Sequence, residues 1–331
     1  MSSKITFLPG FIVAIAMGLI IWLSSSLASW VDPLVAGILV GMLLRSIAGE
    51  NEFFAPGLDF TPKALIPPGI ILYGANLHFN YSIVSPLVWL QILVGVVIVV
   101  WLSRTVGRLF KIPEATSLLL AVGTAICGAS AIIIASNAVD GRKSDTTVSI
   151  LVITFWGLVG LVTLPFLATL LDMSVADRAT LFATTLHQTG FVKTAAMAVG
   201  ENCLSIALAI KAARVIMIIP LLLLVGTLHY LPSVLDSESD KKEYNVKIPW
   251  YLWLFVMSGL CFTFVPALAG YIPLVNKINA LVWTMAMVSI GLTVDVKDVI
   301  SSIGRPLLAG FIIWIGLILV FLYAFLNSHP A

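Results

Sequence analysis

The chain has 331 residues, of which 60% are hydrophobic and only 10% are charged. A soluble domain carries about a quarter of its residues as charged side chains, so this composition excludes a soluble globular protein and predicts an all-α polytopic membrane protein. The net charge of +2 gives no indication of nucleic-acid binding, and the odd number of cysteines, three, argues against a disulfide framework. No clustered His or Cys spacing indicates a metal site.

Apolar runs long enough to cross a bilayer recur along nearly the whole chain, and we count about 11. The first run is too long for the apolar part of a cleavable signal peptide, so we expect it to be retained. A polar stretch at 232–248 predicts a cytoplasmic linker between spans 8 and 9, and we expect one transporter domain over residues 1–331. The predicted spans are residues 7–26, 31–48, 63–80, 84–104, 115–138, 146–171, 176–198, 203–231, 249–270, 276–294 and 305–326.

The distribution of basic residues predicts how the chain lies in the membrane. Alternate loops are rich in Lys and Arg, as in the segment with Arg104, Arg108 and Lys111, whereas the opposite loops hold few basic residues. By the positive-inside rule the rich loops are cytoplasmic. We therefore expect a multi-pass protein of the bacterial inner membrane, with its N-terminus in the cytoplasm and its C-terminus outside.

The fifth predicted span contains an unusual segment, Ala-Val-Gly-Thr-Ala-Ile-Cys-Gly-Ala-Ser-Ala at 121–131. Its two glycines each weaken a helix by about 1 kcal/mol relative to alanine, and its polar side chains lie at bilayer depth. A broken helix is tolerated there only beside protein or water, so the segment predicts an internal site whose second half-helix offers a positive N-terminal end to an anion. Alternatively, alanines at every fourth position pack an unbroken helix on a neighbour. The candidate site residues are Gly123, Thr124, Cys127, Gly128 and Ser130.

The seventh predicted span holds a second polar segment with a glycine, at 185–195. All acidic residues lie near span ends or in loops, and Asp295 is the closest to mid-membrane. Two segments rich in hydrogen-bond donors and free of carboxylates predict an anion site between them. The alternatives are a buried histidine of structural role and a lysine that reaches the membrane interface. The candidate residues are His187, Gln188, Thr189 and Lys193.

Three further polar residues lie in or near predicted spans. For Lys211 and Arg214 in the eighth span, we expect contact with lipid headgroup phosphate, or a role in orienting the span, ahead of substrate contact. Asn76 near the end of the third span is a candidate substrate ligand, although capping or turn formation explains it equally well.

Six stretches of the chain carry a family resemblance. They are GIILYG at 69–74, GTAICGASAI at 123–132, TLH at 185–187, ARVIMIIP at 213–220, IPW at 248–250 and AMVSIGLT at 286–293. In this order they resemble the YeiH-like family of bacterial inner-membrane proteins known as sulfate exporters, related to the bile-acid/sodium symporter and cation/proton antiporter folds. The resemblance implies core and panel domains built from inverted repeats with broken crossing helices. It makes 121–131 the first crossing element and either 185–195, which we favour, or 285–296 the second.

The seventh span departs from the family pattern. The family usually carries His-Glu there, whereas this chain has His187-Gln188 and adds Lys193. An amide in place of a carboxylate makes the segment more positive. The Lys193 ammonium is then a candidate replacement for a coupling cation, and coupling to Na⁺ or H⁺ stays open.

These patterns predict a secondary-active transporter of a small anion, either an oxyanion like sulfate or sulfite or an organic sulfonate or carboxylate. We expect it to work by alternating access, with export as the expected direction. The chain lacks a Walker-type phosphate loop, and we expect no cofactor and no enzymatic activity. The expected partners are the anionic substrate and membrane lipid, with a homodimer left open. The alternatives are a cation/proton antiporter of the same fold, a channel, and an intramembrane serine hydrolase that pairs Ser130 with His187.

Overall fold

In the computed structural model, all regular structure of the described residues is helical, which confirms the predicted class. The structure describes residues 7–27, 33–49, 51–76, 84–136, 138–139, 141–235, 250–294 and 296–328. The α-helices are α1 Leu8–Leu27, α2 Pro33–Ala48, α3 Ala55–Tyr73, α4 Pro86–Leu109, α5 Glu114–Ala125, α6 Ala129–Ser136, α7 Lys143–Leu170, α8 Val175–Thr185, α9 Thr189–Val199, α10 Glu201–Ile216, α11 Ile218–Leu235, α12 Trp250–Phe264, α13 Ile272–Leu292 and α14 Val296–Ser328; short 3-10 helices cover Gly74–Asn76 and Pro266–Tyr271.

Several helical segments are long and apolar enough to cross a membrane, so the protein is a multi-pass helical membrane protein. Shorter apolar helices accompany them, and the count of 11 spans stays a prediction. Within the described parts of the chain there are six such segments: Leu8–Ser25, Pro86–Leu109, Lys143–Leu170, Glu201–Leu228, Pro266–Leu292 and Val299–Ser328.

Several predicted spans differ from the observed helices in their bounds. The fifth and seventh predicted spans are each two helices, and the eighth is divided at Met217 into α10 and α11. The third begins earlier than predicted, at Ala55, and the last begins at Val296. The predicted linker at 232–248 lies outside the described residues from 236 onward, and its first four residues complete α11.

The chain divides into two compact units. Unit 1 comprises Met1–Leu77 and Pro249–Ser302, and unit 2 comprises His78–Ile248 and Ile303–Ala331. In unit 1, α13 packs against α1, α2 and α3. The helices approach closely at glycines, since a methyl group on Gly291 of α13 would lie 3.0 Å from the Cα of Gly41 in α2. The Ser289 hydroxyl of α13 donates to the Leu58 carbonyl of α3 over 2.7 Å.

Unit 2 is built around the short helices α5, α6, α8 and α9. Helix α10 packs against α8 and α9, while α7 packs against α5, α6 and α9. Apolar side chains from α7 to α10 and from α14 form one buried cluster, with Phe182 and Trp314 among its largest members. The four short helices therefore pack against longer helices of the same unit, which is the setting of the candidate site.

Candidate functional site

The first break in the candidate site separates α5 from α6 and consists of Ile126, Cys127 and Gly128. The Gly128 N–H donates to the Gly123 carbonyl over 3.0 Å, which closes the end of α5. Gly128 has φ +80°, in the left-handed region that glycine adopts without steric cost. This turn leaves the last carbonyls of α5, those of Thr124 and Ala125, without donors from their own helix.

The second break separates α8 from α9 and has a different geometry. Leu186 and Gln188 have extended backbones, with ψ of 139° and 144°, and His187 lies between them. The chain therefore leaves the helix for three residues and resumes it at Thr189. The Thr185 carbonyl accepts a hydrogen bond from the Trp314 indole over 3.1 Å, so α14 also fixes the end of α8.

The two breaks touch each other. A methyl group on Gly128 would lie 2.8 Å from Cγ of Gln188 and 3.6 Å from the His187 carbonyl carbon and oxygen. Only glycine fits here, both for its φ angle and for this close approach. The two predicted interruptions are thus present in one unit and packed together, and the unbroken helix weighed as an alternative for 121–131 is not found.

Two basic side chains of α10 bind the carbonyls that both breaks leave free. Arg214 donates to the Thr124 carbonyl and, over 2.6 Å, to the Ala125 carbonyl at the end of α5. It also donates over 3.0 Å to the carbonyls of Ala183 and Leu186 at the end of α8. One guanidinium therefore joins the C-terminal ends of two half-helices, where the helix dipole is negative.

Lys211 lies one turn before Arg214 and, unlike Arg214, contacts only the second break. Its Nζ is 2.9 Å from the Leu186 carbonyl oxygen and 2.7 Å from that of His187. Lys211 and Arg214 are only 1% and 2% exposed. Neither forms a salt bridge with a carboxylate in the described parts of the chain, so backbone carbonyls alone compensate two buried positive charges.

Helix α7 also contacts the second break. Thr154 accepts a hydrogen bond from the Gln188 side-chain amide over 2.9 Å. One turn later, Gly157 leaves room for the Phe191 ring and lies beside the His187 imidazole, whose Nδ1 would be 3.7 Å from an added methyl group. The His187 ring also faces Trp314 of α14 at a centroid distance of 6.2 Å.

Several buried polar atoms at the breaks have no hydrogen-bond partner. Burial of such a group without a partner costs about 1–3 kcal/mol, so each of these atoms is a candidate contact for a water molecule or a ligand. Near them, the Cys127 thiol and the Ser130 hydroxyl lie 2.9 Å apart. The atoms of the break residues that lack a partner are Thr124 Oγ1, His187 Nδ1 and Gln188 Oε1.

The buried carboxylate of unit 2 is already neutralised. Asp145 at the start of α7 is 6% exposed and accepts hydrogen bonds from the Arg142 guanidinium, at 3.0 Å from Nε, and from the Thr116 hydroxyl, at 2.9 Å. It is the only buried carboxylate among the described residues. The described parts also contain no group of three or more His, Cys, Asp or Glu side chains that could hold a metal ion.

Comparison with known families identifies what kind of chain this is. A family model described as "Conserved hypothetical protein 698" matches residues 9–310. The chain belongs to this family.

Relatives in this family are called UPF0324 membrane proteins and match over nearly their full length. One from Staphylococcus aureus strain COL is 31% identical over 305 residues, covering 90% of this chain and 91% of the relative. One from Staphylococcus epidermidis is 25% identical over 92% of both chains. One from Brucella melitensis is 28% identical and covers 87% of this chain and 80% of its own. No solved structure matches the chain.

The structure brings most of the sequence-predicted site residues of this family member into one place. Seven candidates belong to the two touching breaks or to the helix turns that flank them. Thr189 is half-buried at the first position of α9. The seven are Gly123, Thr124, Cys127, Gly128, Ser130, His187 and Gln188.

Two candidates lie elsewhere. Lys193 is exposed, because Val192, Ala195 and Ala196 occupy the buried side of α9. Asn76 belongs to unit 1, at the end of a 3-10 helix, and its side chain lies outside the described part of the structure. The segment 285–296 also belongs to unit 1 and is helical to Leu292, while Asp295 is not among the described residues.

Sequence reasoning missed the central role of two residues. We expected Lys211 and Arg214 to contact lipid phosphate or to orient a span, but both side chains are buried and bind the broken helices. The signal that could have found them is a pair of basic residues three positions apart inside an apolar span, since buried charges there face a protein interior or a cavity. Thr154 and Trp314, which position the second break, carried no such signal.

Proposed function

We propose that this protein is a secondary-active transporter of a small anion, binding it at the two touching helix breaks and releasing it by alternating access. The supporting observation is the pair of buried cations, Lys211 and Arg214, without a carboxylate partner in the described chain. The substrate class that fits is an oxyanion such as sulfate or sulfite, or an organic sulfonate or carboxylate. Export from the bacterial cytoplasm across the inner membrane is the proposed direction.

The charges at the breaks favour an anion over a cation. Two half-helices end there with about half a negative charge each, and two begin there with about half a positive charge each, so the helix dipoles cancel. The side chains of Lys211 and Arg214 then leave the breaks positive. The carbonyls that bind these two side chains are dipoles without net charge, so an anion would neutralise the remaining positive charge and satisfy the unpaired groups of Thr124 and His187.

The contacts give less support to the alternatives. A cation/proton antiporter needs a carboxylate free to exchange ions, and the buried Asp145 is occupied by Arg142 and Thr116. A serine hydrolase needs its nucleophile bonded to a base. The Ser130 hydroxyl instead lies beside the Cys127 thiol, and no hydrogen bond of the described chain joins it to His187.

A thermal-shift screen of the purified protein tests the proposal. Sulfate, sulfite, thiosulfate, taurine and small carboxylates are added at matched ionic strength, and an anion that binds the folded protein raises its melting temperature in proportion to RT ln(1 + [L]/Kd). We expect a saturable rise with at least one of them. The same anion should then exchange across the membrane of proteoliposomes that contain the protein.

Variants at the breaks make the screen specific. Thr124→Val and His187→Ala remove groups that lack a partner, so they should weaken the anion response at least several-fold. Thr163→Val is the matched control, because this exposed hydroxyl of α7 only donates to the Val159 carbonyl. A response that is absent for every anion, or equal in all variants and the wild type, would contradict an anion site at the breaks.

A further inference from the structure

The ammonium of Lys211 has the surroundings of a bound metal cation. Its nitrogen lies 2.9 and 2.7 Å from two carbonyl oxygens of consecutive residues, Leu186 and His187, which have left the helix. In transporters with broken helices, carbonyls of unwound segments and of half-helix C-terminal ends are the groups that coordinate Na⁺. Here a side chain from another helix occupies them.

We infer that Lys211 is a tethered cation that permanently fills the place of a coupling ion at the second break, so that this protein binds no Na⁺ there. The inference deepens the proposed function and rests on it where transport is concerned. It replaces the sequence-based hypothesis that Lys193 has this role, since Lys193 is exposed on α9 and Lys211 is fully buried. Anion movement should therefore be independent of a sodium gradient.

Arg214 occupies further carbonyls at which a cation could bind. Its guanidinium takes the carbonyls of Thr124 and Ala125 at the first break and shares the Leu186 carbonyl with Lys211. A sodium ion needs several oxygen ligands at short distance, and these two side chains bind the carbonyls of Thr124, Ala125, Leu186 and His187. The two covalently attached charges also repel any additional cation from the breaks.

A substitution that removes the Lys211 ammonium but keeps the volume of the side chain would make the two carbonyl oxygens available to a cation from solution. Lys211→Met leaves the carbonyls of Leu186 and His187 without a donor, and their desolvation should lower the melting temperature. Na⁺ or methylammonium can then occupy the vacated position, whereas choline is too bulky and offers no N–H donor. The matched control is Lys277→Met on α13 of unit 1, which removes an exposed lysine.

The experiment is a melting-temperature titration with the chloride salts of Na⁺, methylammonium and choline at constant ionic strength, without any oxyanion. For the wild type and Lys277→Met, we expect the same melting temperature in all three salts. For Lys211→Met, we expect a lower value in choline and a saturable rise of a few degrees with Na⁺ or methylammonium. Lys211→Arg keeps a tethered cation and should remain indifferent to Na⁺.

Two results would overturn the inference. One is a saturable stabilisation of the wild type by Na⁺ relative to choline, which needs no variant and decides the matter even if Lys211→Met fails to fold. The other is an equal response of Lys211→Met and the wild type to all three salts. Because the titration contains no oxyanion, its outcome is independent of the anion screen, and failure of one proposal is distinguishable from failure of the other.

Discussion

Arg214 binds backbone carbonyls of two separate helices, and only a guanidinium has the donors for this. Its Nε and Nη2 serve the end of α5, and its Nη1 serves the end of α8. An ammonium has three donors around a single point and cannot reach both ends. Hydrogen bonds to charged groups contribute about 1.5–3 kcal/mol each, so Arg214→Lys should lower the free energy of unfolding by about 3 kcal/mol.

This prediction is checked by thermal and denaturant unfolding of the purified variant in detergent. Arg104→Lys is the control, because the Arg104 side chain is partly exposed and forms a surface ion pair with Glu114 over 3.3 Å. Such pairs contribute about 0–1 kcal/mol, and a lysine can replace the arginine there. Equal effects of the two substitutions would mean that Arg214 does not join the helices.

Gln188 is a neutral side chain at the second break. It lies against Gly128 and donates to Thr154, so Gln188→Glu would introduce a negative charge beside the breaks with little change in volume. At an effective dielectric constant near 20, a unit charge within about 8 Å of another changes the interaction by about 2 kcal/mol. We expect the affinity for the anion found in the thermal-shift screen to fall at least about tenfold.

The matched variant for this prediction is Asn202→Asp, which adds the same charge at an exposed position of α10. Isothermal titration of both variants with the same anion gives the comparison. Since surface charges are screened by salt, Asn202→Asp should leave the affinity nearly unchanged. An unchanged affinity in Gln188→Glu would place the bound anion away from the breaks.

At the scale of the helix elements, the break between α5 and α6 depends on Gly128. An alanine there meets the steric cost of about 1–2 kcal/mol for the left-handed region and a contact of 2.8 Å with Gln188. We expect Gly128→Ala to lower the melting temperature and to weaken anion binding together, because the two breaks must separate. Gly304→Ala in α14 has open space and a helical backbone, so it should be neutral or stabilising by up to about 1 kcal/mol. Similar melting temperatures for both variants would contradict this account of the break.

The existence of both breaks could be predicted from the sequence because their signals are local. Glycine and polar side chains inside an apolar run already disfavour a continuous helix. The observed breaks at 126–128 and 186–188 fall within the segments singled out at 121–131 and 185–195. The exact residues that leave the helix depend on which carbonyls find other donors, and the sequence does not contain that information locally.

The role of α10 could not be predicted for the same reason. Lys211 and Arg214 bind carbonyls that are 24 to 90 residues away along the chain, and only the tertiary packing of α10 brings them together. A charge pattern on one helix shows that a partner is needed but not which one. The position of Lys193 also follows from packing, since the apolar residues of α9 decide which of its sides is buried.

At the scale of the whole molecule, the two halves of each broken helix are short. Their directions determine whether the broken helix crosses the membrane or returns to the side on which it began. The 12 residues of α5 and the 8 residues of α6 rise about 30 Å together, which equals the thickness of the hydrocarbon core. A segment of this length crosses the membrane once if its halves continue in the same direction. If the second half turned back, both ends would lie on one side.

We predict a single crossing, with the loop around Lys111 in the cytoplasm and the start of α7 outside, as the distribution of basic residues requires. Single cysteines at these two exposed positions, Lys111→Cys and Lys143→Cys, are labelled with a membrane-impermeant maleimide after Cys261→Ser removes the exposed native thiol. Lys143→Cys should react in intact spheroplasts, and Lys111→Cys only after permeabilisation. Labelling of both from the same side would show that the broken helix is re-entrant, and the opposite pattern would show an inverted orientation. The buried native thiols Cys127 and Cys203 provide the background signal in the parent protein.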